Sequence, residues 1–291
     1  MKYKKWLMCL VLSSMLTGCG QTTLPATSLA NTSLPPRIMT FSPTDCTNVT
    51  EIPLSECTVL IALYTQTNGA NWINNSGWTT PTPCSRPFPW IGITCAAGHV
   101  TEIFMAHNGL VGALPKTLNT LTHLKYLDLS GNRLSGSILS LGSLTSLETL
   151  ILNANQLSGS IPLLSGLTSL QWLDLSGNNL NGSIPLLGGL SSLQYLNLGG
   201  NNLSGSIPSL SGLARLQFLS LNNNQLSGPV PANITVTNAY HLYLCGGLNN
   251  LTPPDALTNT WIAAHDTSWT AGVGCTAATF TPTITLTPTP S

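Results

Sequence analysis

Leucines recur through the middle of the chain in a pattern much longer than a helix turn or a strand repeat. Residues 124–138 return in similar form as 147–162, 170–185, 193–208 and 216–231, and residues 100–115 are a looser copy. One asparagine holds the same place in each copy, at steps of 24 once and 23 four times: Asn108, Asn132, Asn155, Asn178, Asn201 and Asn224. This register predicts a stack of similar coils.

Each coil contains an LxxLxL segment, which predicts a short strand whose leucines point inward. The asparagine that follows is expected to satisfy backbone groups inside the coil. The recurring Leu-Ser-Gly-Ser-Ile-Pro runs predict a second strand or turn on the back face, in preference to a peptide-ligand motif, because Gly and Pro recur where the chain must bend. One coil cannot bury its own leucines, so the stack needs several coils and two caps.

Both ends of the repeat region look like such caps. At the N-terminal end, residues 55–67 predict a helix with apolar Val59, Leu60, Leu63 and Tyr64, ended by Asn68-Gly69. At the C-terminal end, residues 239–245 form a degenerate coil with Gly247 in place of the asparagine, followed by a predicted helix near 255–265.

The cap and coils resemble a known family. The pairs Asn71-Trp72 and Gly77-Trp78, followed by a Cys84…Trp90…Cys95 segment, look like the N-terminal capping domain of plant-type leucine-rich-repeat proteins. The coils are similar to that family's LxxLxxLxLxxNxLSGxIPxxLxxL pattern, and the resemblance covers about residues 57–231. It implies an α/β repeat solenoid, a curved stack with a parallel β-sheet on its concave face, as in receptor-kinase ectodomains and secreted inhibitors.

The first residues predict export. Three lysines precede an apolar stretch, residues 6–16, that is too short to span a bilayer. Residues 16–19, Leu-Thr-Gly-Cys, resemble a bacterial lipobox, which implies lipidation of Cys19; the alternative is an ordinary signal peptide with a chance cysteine. We expect a signal peptide at 1–18, a Thr/Ser/Pro-rich stalk at 19–44, caps at 45–98 and 239–276 around a solenoid at 99–238, and a Thr/Pro-rich tail at 277–291.

Six cysteines remain for the exported part of the chain. An even number in an exported protein indicates three disulfides. Fifteen pairings are possible, and the three local clusters favour Cys46–Cys57, Cys84–Cys95 and Cys245–Cys275. A zinc site built from these cysteines is disfavoured because the sequence has no CxxC pair with suitably spaced histidines. We predict neither a metal nor a cofactor.

The small number and the spacing of charged residues argue against nucleic-acid binding and against catalysis. Only 6% of residues are charged, about a quarter of the usual share, and loss of the leader lysines leaves more acidic than basic residues. Asp128 and Asp174 are expected two coils apart, ~10 Å, with Ile151 between them, which does not suit paired-carboxylate catalysis. His99 and His107 flank the first strand without a nucleophile in register. We therefore expect a protein that is not an enzyme.

Two columns of outward-facing strand residues form the candidate ligand site. The first contains consecutive aromatic residues and the second borders it with acceptors and small polar groups, a combination that protein and glycan sites use. Shielding of the leucine core by cross-strand stacking is the alternative role for the aromatic residues. The residues predicted to bind ligand are Tyr126, Trp172, Tyr195, Phe218, Asp128, Asp174, Asn197 and Tyr243.

The predicted function is that of a cell-surface binding module for an extracellular protein, peptide or glycan, held to the membrane by its lipid alone. Two alternatives remain open at this stage. One is a structural or adhesive spacer, and the other is a plant-like receptor ectodomain or secreted enzyme inhibitor.

Overall fold

The computed structural model describes residues 46–85, 89–236, 241–270 and 274–275. The predicted signal peptide, the lipidation site Cys19, the stalk and the Thr/Pro tail lie outside these residues. Within the described ranges, no helix is both long and apolar enough to cross a membrane.

The described elements are two α-helices, three short 3₁₀ helices and fifteen short strands. The α-helices are α1 (Leu54–Gln66) and α2 (Ala256–His265), and the 3₁₀ helices cover Gly69–Asn71, Lys116–Thr120 and Ala232–Val236. The strands are β1 (Ile93–Ala96), β2 (His99–Phe104), β3 (Val111–Ala113), β4 (Tyr126–Asp128), β5 (Arg133–Ser137), β6 (Thr149–Ile151), β7 (Gln156–Ser160), β8 (Trp172–Asp174), β9 (Asn179–Gly182), β10 (Tyr195–Asn197), β11 (Asn202–Gly205), β12 (Phe218–Ser220), β13 (Gln225–Pro229), β14 (His241–Tyr243) and β15 (Asn250–Thr252).

These strands form two sheets, one on each side of the coils. The long sheet has eight strands in the order β1-β2-β4-β6-β8-β10-β12-β14, and only its β1–β2 pair is antiparallel. The back sheet has seven strands in the order β15-β13-β11-β9-β7-β5-β3. The predicted parallel-sheet solenoid with disulfide-bearing caps is confirmed, and the Leu-Ser-Gly-Ser-Ile-Pro runs supply the strands of the back sheet.

The core lies between the two sheets. The central residue of every long-sheet strand from β2 to β14 is at most 1% exposed: Ile103, Leu127, Leu150, Leu173, Leu196, Leu219 and Leu242. Burying one such side chain contributes roughly 1.5–3 kcal/mol. Because each leucine packs against the next coil, that gain depends on stacking, which is why the repeats fold as an array.

The buried asparagines connect neighbouring coils. The Oδ1 atom of Asn178 accepts from the Leu157 N–H of the preceding coil at 3.0 Å, and its Nδ2 donates to the Leu152 carbonyl of that coil at 3.0 Å. The same Nδ2 donates to the Leu175 carbonyl of its own coil at 3.1 Å. The side chain therefore satisfies backbone groups in two neighbouring coils. The sequence predicted only the hydrogen bonds within its own coil.

The last coil keeps this arrangement at a shifted position. Gly247 stands where the asparagine was expected, but Asn249 takes over its bonds. Its Oδ1 accepts from Leu226 N at 2.9 Å, and its Nδ2 donates to the carbonyls of Leu221 and Leu244. The series of asparagines thus continues into the C-terminal cap.

The N-terminal cap is built on α1, which begins and ends one residue earlier than the predicted 55–67. Its aromatic residues pack in a chain: Trp78 lies 5.0 Å from Trp72 and 4.8 Å from Trp90, measured between ring centroids. Tyr64 of α1 closes this group at 5.2 Å from Trp72. Disulfides join Cys46 to Cys57 and Cys84 to Cys95.

The C-terminal cap covers the last coil with α2. The helix is capped by Asp255, whose carboxylate accepts hydrogen bonds from the Thr258 N–H and hydroxyl, each at 2.8 Å. The N–H bond is the main cause of the lowered pKa of Asp255. Asp266, just past the helix, accepts from Leu244 N at 2.7 Å, and a disulfide joins Cys245 to Cys275.

Candidate ligand-binding face

The solvent-facing side of the long sheet carries two columns of side chains, separated by the buried central residues. Strand register places Glu102, Tyr126, Thr149, Trp172, Tyr195, Phe218 and His241 in one line, which we call the aromatic column. The second line, the polar column, holds Phe104, Asp128, Ile151, Asp174, Asn197, Ser220 and Tyr243. These are the columns that the 23-residue period predicts.

Three aromatic rings are stacked face to face along the aromatic column. The rings of Trp172 and Tyr195 lie 3.7 Å apart with an interplanar angle of 4°, and those of Tyr195 and Phe218 lie 4.3 Å apart at 10°. Tyr195 therefore has a ring against each of its faces. Trp172 remains 40% exposed. Trp172 ends the stack beside Thr149, so one face of its ring has no aromatic ring against it.

Further aromatic residues extend this surface in both directions. Tyr243 of the polar column lies 5.6 Å from Phe218, and at the other end Phe104 lies 6.4 Å from Tyr126. Phe104 and Tyr243 are 55% and 45% exposed. Thr149 and Ile151 on β6 lie between the two aromatic groups. The face therefore has an aromatic group at each end, with Thr149 and Ile151 between them.

The two aspartates of the polar column have a structural task that sequence reasoning did not anticipate. Asp128 and Asp174 are only 7% and 9% exposed. The Oδ1 atom of Asp174 accepts from the Ser176 N–H at 3.0 Å and the Ser176 hydroxyl at 2.6 Å, and Asp128 binds Ser130 in the same way. Both carboxylates hold the turn after their strand through Oδ1.

Asn197 joins the two columns. Its Nδ2 lies 3.2 Å from Ser176 Oγ, 3.4 Å from Tyr195 Oη and 3.5 Å from Asp174 Oδ2. Its Oδ1 accepts from the Gly199 N–H at 3.1 Å. The amide therefore positions the exposed end of Tyr195 beside a carboxylate.

Both tyrosines of the aromatic column are harder to ionise than usual. Burial raises the pKa of Tyr195, and the negative charge of Asp174 raises it further. Burial likewise raises the pKa of Tyr126, followed by the charges of Asp128 and Glu102. At neutral pH both hydroxyls are protonated, and each forms a side-chain hydrogen bond with the neighbouring aspartate, Asp174 or Asp128, which raises its pKa further.

The register also bears on catalysis. Asp128 and Asp174 lie on β4 and β8, with Ile151 of β6 between them. Two strand spacings correspond to ~10 Å, too far for the two carboxylates to act as a retaining glycosidase pair. The arrangement on this face suits contact and hydrogen bonding.

Sequence reasoning missed a cluster that lies where the cap meets the first coils. Glu56 of α1, His99 of β2 and His123 offer ligand atoms that all lie within 4.8 Å of one another. His99 and His123 are 24 residues apart, the same step as Asn108 to Asn132, so the repeat period would have shown that the two histidines are stacked neighbours. Glu56 belongs to the cap helix, which has no register with the coils.

Comparison with known proteins agrees with this architecture. Family models described as "Leucine Rich repeats (2 copies)" and "Leucine Rich Repeat" match residues 191–232, and residues 123–144 and 169–190, respectively. "Receptor protein kinase WSS1" of rice, Oryza sativa subsp. japonica, is 43% identical over 68 residues, which are 22% of this chain and 7% of that protein. The chain thus spans a small part of this relative.

Two solved structures are similar over longer stretches. The Arabidopsis receptor kinase HAESA, in complex with the peptide hormone IDA and the co-receptor SERK1, is 31% identical with a TM-score of 0.59. The match covers 73% of this chain and 36% of that one. A pollen receptor kinase 3 structure is 32% identical with a TM-score of 0.51, and 61% of this chain and 88% of that chain are covered.

Proposed function

Because the chain belongs to the plant-type leucine-rich-repeat proteins, we propose that it is an extracytoplasmic binding module for a peptide or protein segment. The ligand lies across the long sheet and contacts the aromatic and polar columns. The observation that carries the proposal is the stacked run of Trp172, Tyr195 and Phe218 on a solvent-facing sheet. Exposed aromatic residues within a polar rim are typical of protein recognition sites.

The stacking favours a peptide over a glycan. Sugars bind to aromatic side chains chiefly through an open ring face. The stack covers both faces of Tyr195 and leaves only the outer face of Trp172, beside Thr149, for such a contact. Ring edges suit apolar side chains instead. The HAESA structure contains a peptide hormone, which supports the same ligand class for this chain.

Stacking of the three rings also shields the leucines beneath them, so the structural role and the binding role coexist. An aromatic pair of this kind contributes about 0.5–1.5 kcal/mol beyond its buried area. Shielding alone, however, does not require Tyr243 to stand exposed beside the stack. A test of binding must therefore separate lost ligand contacts from lost stability.

The experiment is selection of peptides from a random library on the purified chain, followed by titration of the selected peptide. The triple substitution Trp172→Ala, Tyr195→Ala and Phe218→Ala should weaken binding at least a hundredfold, because three ring contacts are lost. The matched control removes three exposed leucines elsewhere, Leu163→Ala, Leu186→Ala and Leu257→Ala, and should bind like the wild type.

Circular dichroism of both triple variants separates unfolding from loss of binding. Undiminished binding by the folded aromatic variant would refute the proposed site. If the chain selects no peptide but retains oligosaccharides on a glycan array, the peptide assignment is wrong. If it retains neither, the alternative of a surface spacer is favoured.

We further propose that the module is held at the cell surface by lipid on Cys19. The three disulfides support an oxidising compartment. Several acyl chains on one residue would anchor the protein stably. Mass spectrometry of the mature N-terminus tests this: an acylated Cys19 supports the anchor and excludes a secreted inhibitor, whereas an unmodified terminus beyond residue 19 refutes it.

A further inference from the structure

A cluster of side chains with potential metal-ligand atoms, Glu56, His99 and His123, lies at the junction between the N-terminal cap and the first two coils. The rings of His99 and His123 are stacked with centroids 3.7 Å apart and an interplanar angle of 18°. Glu56 reaches them from α1, with Oε1 2.7 Å from His99 Nδ1. One ligand atom from each residue lies within 4.8 Å of the other two.

Glu56 is held rigidly in this cluster. Glu56 is only 4% exposed, and its Oε2 atom accepts a hydrogen bond from the Val100 N–H at 2.7 Å. An ionised carboxylate only accepts hydrogen bonds, so the contact with the Glu56 carboxylate requires the tautomer of His99 that carries its proton on Nδ1. In the neutral ring, Nε2 of His99 then carries a free lone pair.

A carboxylate that accepts from one histidine nitrogen while the other nitrogen faces a metal is the usual support of a metal-binding histidine. His123 supplies the second imidazole and is exposed, so its ring can turn without disturbing the core. Two nitrogen ligands of a tetrahedral zinc ion, each at about 2.0–2.1 Å, lie ~3.3 Å apart. The ligand atoms of the three residues lie within 4.8 Å of one another, but stacked rings direct their lone pairs nearly parallel, so the exposed ring of His123 has to rotate out of the stack for both imidazoles to reach one ion.

We propose that His99 and His123 bind one divalent transition-metal ion, Zn²⁺, at this junction. His99 Nε2 and one ring nitrogen of His123 are the ligands, and water completes the coordination. Glu56 is a positioning residue that fixes the tautomer and orientation of His99. Neutral imidazole is a good ligand for zinc, and the disulfides leave the cap cysteines without thiols to compete.

The ion would link three parts of the fold. His99 begins β2, His123 precedes β4, and Glu56 belongs to the cap helix. Zinc bound by the folded chain alone would therefore stabilise the cap on the first coils. At a hundredfold excess of free zinc over Kd, the melting temperature is expected to rise by roughly 5 °C.

The test is calorimetric titration of the untagged chain with Zn²⁺ after alkylation of any free thiol. We expect one ion per chain. His123→Gln should weaken binding at least tenfold, since only one imidazole remains. The matched control, His265→Gln, removes a histidine that bonds to the Trp261 carbonyl in α2 and should leave zinc affinity unchanged.

Glu56→Gln distinguishes positioning from mere packing. The glutamine oxygen can still accept from Val100, but its amide would donate to His99 Nδ1 and force the proton onto Nε2, which then cannot bind metal. The variant should fold, as shown by circular dichroism, and bind zinc ten- to a hundredfold more weakly. Glu56→Asp should recover part of the affinity.

Three results would overturn the proposal. The first is a folded wild-type chain that takes up no zinc at millimolar concentration. The second is equal loss of affinity in His265→Gln and His123→Gln. The third is a Glu56→Gln variant that is folded and binds zinc as the wild type does, which would remove the positioning role.

Discussion

Replacing one buried asparagine of the solenoid should destabilise the stack far more than replacing its exposed neighbour. In Asn178→Ala, the Leu157 N–H loses its acceptor, and the carbonyls of Leu152 and Leu175 lose a donor. These groups lie inside the coils, where water does not replace the lost partner readily. The substitution removes bonds within one coil and between two coils at once.

The size of the effect follows from those three groups. A buried polar group left without a partner costs about 1–3 kcal/mol. The N–H of Leu157 has no other acceptor to donate to. Each carbonyl keeps a second lone pair, so the cost for each carbonyl lies at the low end of that range. The sum is a loss of about 3–5 kcal/mol in the free energy of unfolding.

The assay is urea denaturation followed by far-ultraviolet circular dichroism. Asn179→Ala is the matched control, because Asn179 is the same residue type one position later but is exposed on β9. Its unfolding free energy should stay within about 0.5 kcal/mol of the wild type. A difference between the two variants below about 1 kcal/mol would refute the claim that the asparagine bonds hold the coils together.

Two further predictions concern the C-terminal cap and the aromatic column. Cys245→Ser combined with Cys275→Ser opens a loop between residues 30 positions apart and should lower stability by about 3–4 kcal/mol in the chain-entropy model; an unchanged melting temperature would show that the bond does not clamp the cap. The raised pKa of Tyr195 means that the folded chain holds this proton more tightly than the unfolded chain, so stability is full below pH 10 and falls as the pH rises above it. Tyr195→Phe should reduce that fall, and absorbance at 295 nm should show Tyr195 ionising above the ordinary value of 10.0; ionisation at or below that value contradicts the stated cause.

The sequence alone was enough to predict the stack, its strand register and both columns of the candidate ligand-binding face. This succeeded because stacking makes residues 23 or 24 apart into neighbours, so position along the chain becomes position in space. The helices α1 and α2 were predictable for a local reason. Each has an apolar pattern next to a capping or stop signal.

The tertiary structure determined the features that the 23-residue period does not predict. Asn249 replaces the missing asparagine two residues after Gly247, because only the folded last coil shows which side chain reaches Leu226. The aspartates bind their own turns, and the aromatic rings stack so closely that both faces of Tyr195 are covered. Glu56 meets His99 from 43 residues away, since the cap helix packs on the coils without sharing their register.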